Sequence, residues 1–173
     1  LIDLSGATSI EVLRSNASAL WGNAAGGVVS INTIPDLDRP YLSLQAQFGS
    51  FGFQKHSLRA GTTTDIGKVY VSVNNTMFDG YRAQSRSLLT QFYVGILSNL
   101  SAKTRLNTFI TGASNNFQVP GPLTQAQFDT DPQQAQGNPA IYSPTYVERN
   151  ERRFNRLGRI GTTFEHEFDR NNS

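Results

Sequence analysis

The sequence predicts an all-β chain, a transmembrane antiparallel β-barrel of which about six strands are present, preceded by a short region of different texture. Three observations carry this. From Tyr41 onward apolar and polar residues alternate with period two, the mark of strands with two unlike faces. Several of these runs are roughly 10 to 17 residues long, against about 9–11 for a tilted strand crossing a hydrocarbon core and about 5–6 for a typical soluble strand. Connections are short and polar near Asp65, Ala102 and Arg170, whereas the opposite end carries a long one over Asn115–Asn150, rich in Pro, Gln, Asn and Asp. Short turns on one side and a long loop on the other is the asymmetry of an outer-membrane barrel.

The first strand, Tyr41–Gly49, sets Leu42, Leu44, Ala46 and Phe48 against Tyr41, Ser43, Gln45 and Gln47. After the Gly-bounded turn Gly49-Ser50-Phe51-Gly52, a second strand places His56, Leu58 and Ala60 opposite Lys55, Ser57 and Arg59. Thr64-Asp65-Ile66-Gly67 supplies a tight turn into Val69, Val71 and Val73, with Tyr70, Ser72 and Asn74 on the other side. Beyond Asp79-Gly80-Tyr81-Arg82 a run from Arg86 to Leu100 carries Leu88, Phe92, Val94 and Ile96 on one face, with Leu89, Tyr93 and Leu97 blurring the polar one. A turn at Ser101-Ala102-Lys103 leads to Leu106 and Ile110 alternating with Arg105, Asn107 and Thr111, Phe109 being an exception. The last strand, Arg152–Phe168, separates Phe154, Ile160, Phe164 and Phe168 from Arg153, Asn155, Arg159, Thr163, Glu165 and Glu167; Arg156 and Leu157 do not fit.

Composition narrows the function classes. Fifteen Lys and Arg against thirteen Asp and Glu leave a charge of +2, dispersed apart from Arg149, Arg152, Arg153, Arg156 and Arg159, so nucleic-acid binding is not expected. There is no cysteine, which removes disulfides and thiolate metal sites. Gly22–Gly27 lacks the order of a phosphate-binding loop. In Glu165-His166-Glu167 the histidine of a strand points away from both carboxylates, and His56 has no partner at ligand spacing, so no metal site is expected. Two histidines and no nucleophile motif give no catalytic set, and no enzyme activity or cofactor is expected. The arginine cluster admits two readings, attraction of an anionic ligand and a solvated stripe facing a polar lumen and lipid headgroups, of which the second is preferred. Leu1 and the turn-like Asn171-Asn172-Ser173 give both ends the look of cut points in a longer chain.

The first 35 residues differ, being rich in Ala, Gly and Ser around Ile10-Glu11-Val12-Leu13-Arg14 and Ser18-Ala19-Leu20-Trp21-Gly22-Asn23-Ala24-Ala25-Gly26-Gly27-Val28-Val29-Ser30-Ile31-Asn32. This segment resembles the end of the plug in TonB-dependent outer-membrane receptors, whose usual wording has Gly-Pro where this chain has Ser15-Asn16 and Tyr where it has Trp21. The resemblance continues through Gly49–Gly52, Asp79–Arg82 and Pro120–Phe128, the last similar to an extracellular loop of siderophore-receptor-like members. The expected organisation is a plug C-terminus over 1–35, a stiff hinge over 36–40 and the start of the barrel over 41–173, with an extracellular loop at 115–150. The resemblance implies a barrel of about 22 strands with a plugged lumen, in the outer membrane of a Gram-negative bacterium. It implies import of a ferric siderophore or similar scarce ligand, driven by the TonB energy-coupling complex. The rival expectations are a non-transporting surface β-protein that binds a protein partner and a soluble carbohydrate-binding β-domain.

Overall fold

The computed structural model describes residues 9–14, 22, 26–32 and 37–168. Its elements are β1 (Ser9–Leu13), β2 (Val28–Asn32), β3 (Tyr41–Phe48), β4 (Gln54–Thr64), β5 (Gly67–Phe78), β6 (Ser87–Ser101), β7 (Thr104–Gln118), a short helix α1 (Gln125–Thr130) and β8 (Arg152–His166). β1 and β2 pair antiparallel, setting Ile10 opposite Ile31 and Val12 opposite Val29 on one face. Ser15-Asn16 and Ser18–Trp21 of the plug-like segment lie outside the described residues.

Strands β3 to β8 form one antiparallel sheet in sequence order, each hydrogen-bonded to the next, with β3 and β8 at its edges among the described residues. This meander is what the alternating pattern and short turns predict. The connections at one end are Asp65-Ile66 and Ala102-Lys103, and those at the other end span 49–53, 79–86 and 119–151. β7 runs further than the sequence suggests: Asn115 to Gln118, expected in the loop, stay paired with Leu89 to Ser87 on one side and with Asn155 to Arg152 on the other. Polar residues occupy both faces there, so the period-two signal fades while the ladder continues.

Directly paired residues share a face, so the register assigns every side chain to one of two surfaces. One surface gathers Leu42, Leu44, Leu58, Val71, Val73, Phe92, Val94, Ile96, Ile110, Ile160 and Phe164. The other gathers Ser43, Gln45, Ser57, Arg59, Tyr70, Ser72, Asn74, Gln91, Asn107, Thr111, Arg159 and Thr163. Burial is inverted relative to a soluble sheet: Ser72 and Asn74 are 1% exposed and Tyr70 2%, whereas Leu44 is 76% exposed and Ile160 73%. Ser57, Gln91 and Ala113 are also buried, all on the polar surface.

Phe109, an exception to the pattern, has a cross-strand explanation. A single row across the sheet reads Tyr41, Gly61, Tyr70, Gly95, Phe109, Gly161, an aromatic facing a glycine at every step. The Phe109 ring lies over Gly161, where an added methyl would overlap it. Rings laid on glycine backbone satisfy packing without crowding and pin the register, since a two-residue slip would set ring against ring or leave backbone bare. On the apolar surface Phe92 covers Gly112 in the same way.

Leu37, within the expected hinge, is fixed to the polar surface. It is 2% exposed, its Cδ1 and Cδ2 stand 2.9 Å from where a Cβ on Gly61 would be, and its carbonyl accepts a hydrogen bond from the Thr63 hydroxyl. The chain approaching β3 therefore lies against the side that carries the buried polar residues.

Valine ordinarily favours strands, yet Gly161→Val should destabilise the protein by about 1–3 kcal/mol by displacing the Phe109 ring. Adding Phe109→Ala should recover part of the loss. Urea unfolding of the two variants checks this, and a stabilised Gly161→Val would refute the pinning role of the row.

Candidate functional site

The three segments singled out between Gly49 and Phe128 meet at one end of the sheet. The turn from β3 to β4 is closed by Gly49 N–H to the Phe53 carbonyl at 2.9 Å. The Phe51 carbonyl then accepts from the N–H groups of Asp79 and Gly80 at 3.0 and 3.3 Å, and the Phe51 and Tyr81 rings meet edge to face at 5.5 Å. The 79–86 connection is held in turn against the long loop. Arg82 donates from Nε and Nη2 to the Gln134 carbonyl at 3.0 and 2.9 Å, and Ala83 N–H donates to Gln133 at 2.7 Å. Gln84 Nε2 reaches the carbonyls of Tyr146, 2.6 Å, and Val119, 3.2 Å.

The long loop is itself a folded unit organised around Gln136, which is 0% exposed. Its N–H donates to Pro120 at 2.7 Å, its carbonyl accepts from Val147, its Nε2 donates to Asn138 at 2.8 Å and its Oε1 accepts from Tyr146 N–H at 3.3 Å. Burying an amide side chain is tolerable only when its groups are paired in this way. Gly121 is required beside it: its φ of +74° is left-handed, and a Cβ there would stand 2.7 Å from Gln136 Cβ and Tyr146 Cγ. Thr145 and Glu148 cap one another's backbone, at 2.8 and 3.1 Å, and Arg149 lies 5.1 Å from the Tyr146 ring centroid. Helix α1 carries a reciprocal capping box between Thr124 and Gln127.

Two open clefts flank Tyr81 and Arg82. One, of about 670 Å³, is lined by Asp79, Arg86, Gln118, Asp131 and Gln133 among others. The second, of about 500 Å³, lies between Tyr81 and Arg82 on one side and Leu123, Thr124, Phe128 and Pro132 on the other. Both volumes are in the range of small-molecule sites. Their walls offer amides, a guanidinium, carboxylates and aromatic edges, which suits a polar ligand held by many weak contacts. The Asp79–Arg86 ion pair at 3.6 Å is largely exposed and adds little energy.

Other residues weighed from the sequence fall elsewhere. Arg153 and Arg159 join the polar surface, Arg152 and Arg156 the apolar one, and Arg149 sits in the loop 3.6 Å from Glu151, so the cluster does not converge. His166 Nδ1 lies 2.9 Å from Thr104 Oγ1, on the opposite face from Glu165. His56 stands beside Phe48, ring centroids 5.9 Å apart, on the apolar surface. Among the described residues no group of three His, Asp or Glu side chains is placed to hold a metal ion. The roles of Gln84, Gln136 and Thr145 went unseen in the sequence, where they are ordinary members of a polar stretch. No protein-family model matches the sequence.

Gln136→Leu should leave the Tyr146 N–H without its partner and take one of three donors from the Asn138 carbonyl, costing about 1–3 kcal/mol felt chiefly within 119–151. Hydrogen exchange should show faster exchange in that loop and unchanged protection in β5 to β7. Uniform protection in the variant would refute the anchoring role.

Proposed function

We propose that this chain is part of an outer-membrane β-barrel transporter of the TonB-dependent kind, taking up a ferric siderophore or similarly scarce polar ligand. The observation that carries this is the inverted sheet, apolar surface exposed and polar surface buried. In water each exposed Leu, Ile, Val or Phe of that surface forgoes up to about 1.5–3 kcal/mol of burial energy. Summed over the surface, that reaches or exceeds a typical net stability of about 5–15 kcal/mol. A bilayer removes the conflict, because lipid covers the apolar side and the polar side faces a lumen. β6, β7 and β8, 15 residues each, reach about 50 Å at 3.3 Å per residue, enough to cross the hydrocarbon core at a tilt and continue beyond it.

Two further features support the transport reading. Leu37 itself is held on the polar surface, the side where a plug lies in such a receptor, and β1 and β2 fall within the residues that resemble a plug C-terminus. The folded loop and its clefts occupy the end with long connections, the side from which an external ligand arrives. The clefts take the ligand, and TonB draws on the plug to admit it.

The full-length protein carrying this chain, produced in a Gram-negative host, should fractionate with the outer membrane. Having no native cysteine within this chain to interfere, Ile160→Cys should resist a water-soluble maleimide in intact membranes and Thr163→Cys should react faster. Uptake of a ferric siderophore should require TonB and be lost on deletion of 122–145. A soluble product, or equal labelling at both positions, would sink the membrane reading; TonB-independent behaviour with intact insertion would instead favour a non-transporting surface protein.

A further inference from the structure

The apolar surface carries an unequal distribution of charge that lipid contact alone does not require. Among the strand lysines and arginines, Lys55, Arg59, Lys68, Arg105, Arg153 and Arg159 register on the polar surface. Arg152 and Arg156 register on the apolar one, both at the long-loop end of β8. No Asp or Glu of β3 to β8 shares that surface; the one carboxylate in those six strands, Glu165, is on the other side. No ion pair engages either arginine among the described residues, and Arg152 has a single weak contact, Nε to the Asn150 carbonyl at 3.4 Å.

Their surroundings are specific. Arg156 pairs with Ser114 in a row that continues through Thr90, Asn75 and His56 to Ala46, a polar band between the Phe92 row and the Phe154 row of this surface. Asn75 Nδ2 already donates to Thr90 Oγ1 at 2.9 Å, so this band forms its own hydrogen bonds at the apolar surface. Phe154 projects between the two arginines and is 59% exposed. Four residues apart on a strand, the two guanidinium stems start about 13 Å from each other.

Resting on the membrane reading above, we propose that Arg152 and Arg156 form a docking edge for an anionic, phosphate-bearing lipid headgroup in the leaflet on the long-loop side. A guanidinium presents a fork of donors matched to phosphate oxygens, and its alkyl stem lies along apolar surface while the head reaches the interface. The absence of any carboxylate on this surface leaves both forks free for an external anion. Phe154 and Leu88 in the row between the two arginines, with Phe92 and Val94 below Arg156, receive the acyl chains, which is why the partner is a lipid and not free phosphate.

The test uses the full-length protein in detergent, exchanged into phosphatidylglycerol or phosphatidylcholine nanodiscs, with bound lipid read by native mass spectrometry. The wild type should retain phosphatidylglycerol preferentially, with affinity falling about fivefold for each arginine removed in R152Q and R156Q. R152K/R156K should keep part of the preference. Folding of each variant is checked independently by heat-modifiable gel migration. Undiminished retention by a folded R152Q/R156Q overturns the proposal, and so does displacement of the lipid by millimolar inorganic phosphate. A wild type that does not enter the bilayer removes the membrane reading itself, a result distinct from insertion without lipid preference.

Discussion

Cross-strand register is the constraint from which the rest of this molecule follows. Once Leu58 stands opposite Leu44 and Val73, and Ser57 opposite Gln45 and Asn74, every side chain of six strands is committed to one surface or the other. A slip by one residue would exchange the two surfaces entirely. The register is held by more than the backbone ladder, because the Phe109 ring needs the bare backbone of Gly161, and Leu37 that of Gly61, on the polar side. Packing on the polar side thus fixes which residues are presented on the apolar side, and the two surfaces are coupled through the pleat.

The two ends of the sheet solve the problem of unpaired backbone differently. Where the connections are Asp65-Ile66 and Ala102-Lys103, the turns are too short to leave many groups unsatisfied. At the other end the chain 119–151 must supply its own partners, and it does so through glutamine side chains that bond to main-chain carbonyls: Gln84 to Tyr146 and Val119, Gln136 to Asn138, Gln134 to Gln127. A loop built this way keeps a defined shape without an apolar core of its own. That is how a polar surface with clefts of several hundred cubic ångströms persists at the end of a sheet.

Strand order, turn positions and the sidedness of the sheet were legible in the sequence because alternation is local and periodic. What escaped was non-local. Phe109 and Leu157 read as errors in the pattern because their partners, Gly95 and Gly161 for the first and Ala113 for the second, lie on other strands. The last residues of β7 looked like loop because Asn115 and Asn116 carry no apolar alternation, although both remain paired. Helix α1, at six residues, is too short to show a period of 3.6, and only its Thr124–Gln127 cap marks it. The long loop was visible as a segment, but nothing along the chain distinguishes the buried Gln136 from the exposed Gln133.

Arg156 shows how a misfit becomes informative once the register is known. On a sheet standing in water, an arginine amid exposed apolar residues would be one more solvated group. On this surface it lies in a row where Ser114, Thr90, Asn75 and His56 replace aliphatic side chains. Beyond that row apolar residues return with Phe48, Leu88 and Phe154, interspersed with Gln54 and Asn116, and the strands then pass into the loops. Under the membrane proposal, such a mixed zone of rings, amides and arginine would suit the boundary between hydrocarbon and water, where amphipathic groups gain what neither phase alone offers. Leu37, buried against the opposite surface at Gly61, points the other way: the chain leading into β3 is kept off the apolar side. The same sheet therefore carries two unlike surfaces, and single residues such as Arg156 and Leu37 show how register commits each side chain to one of them.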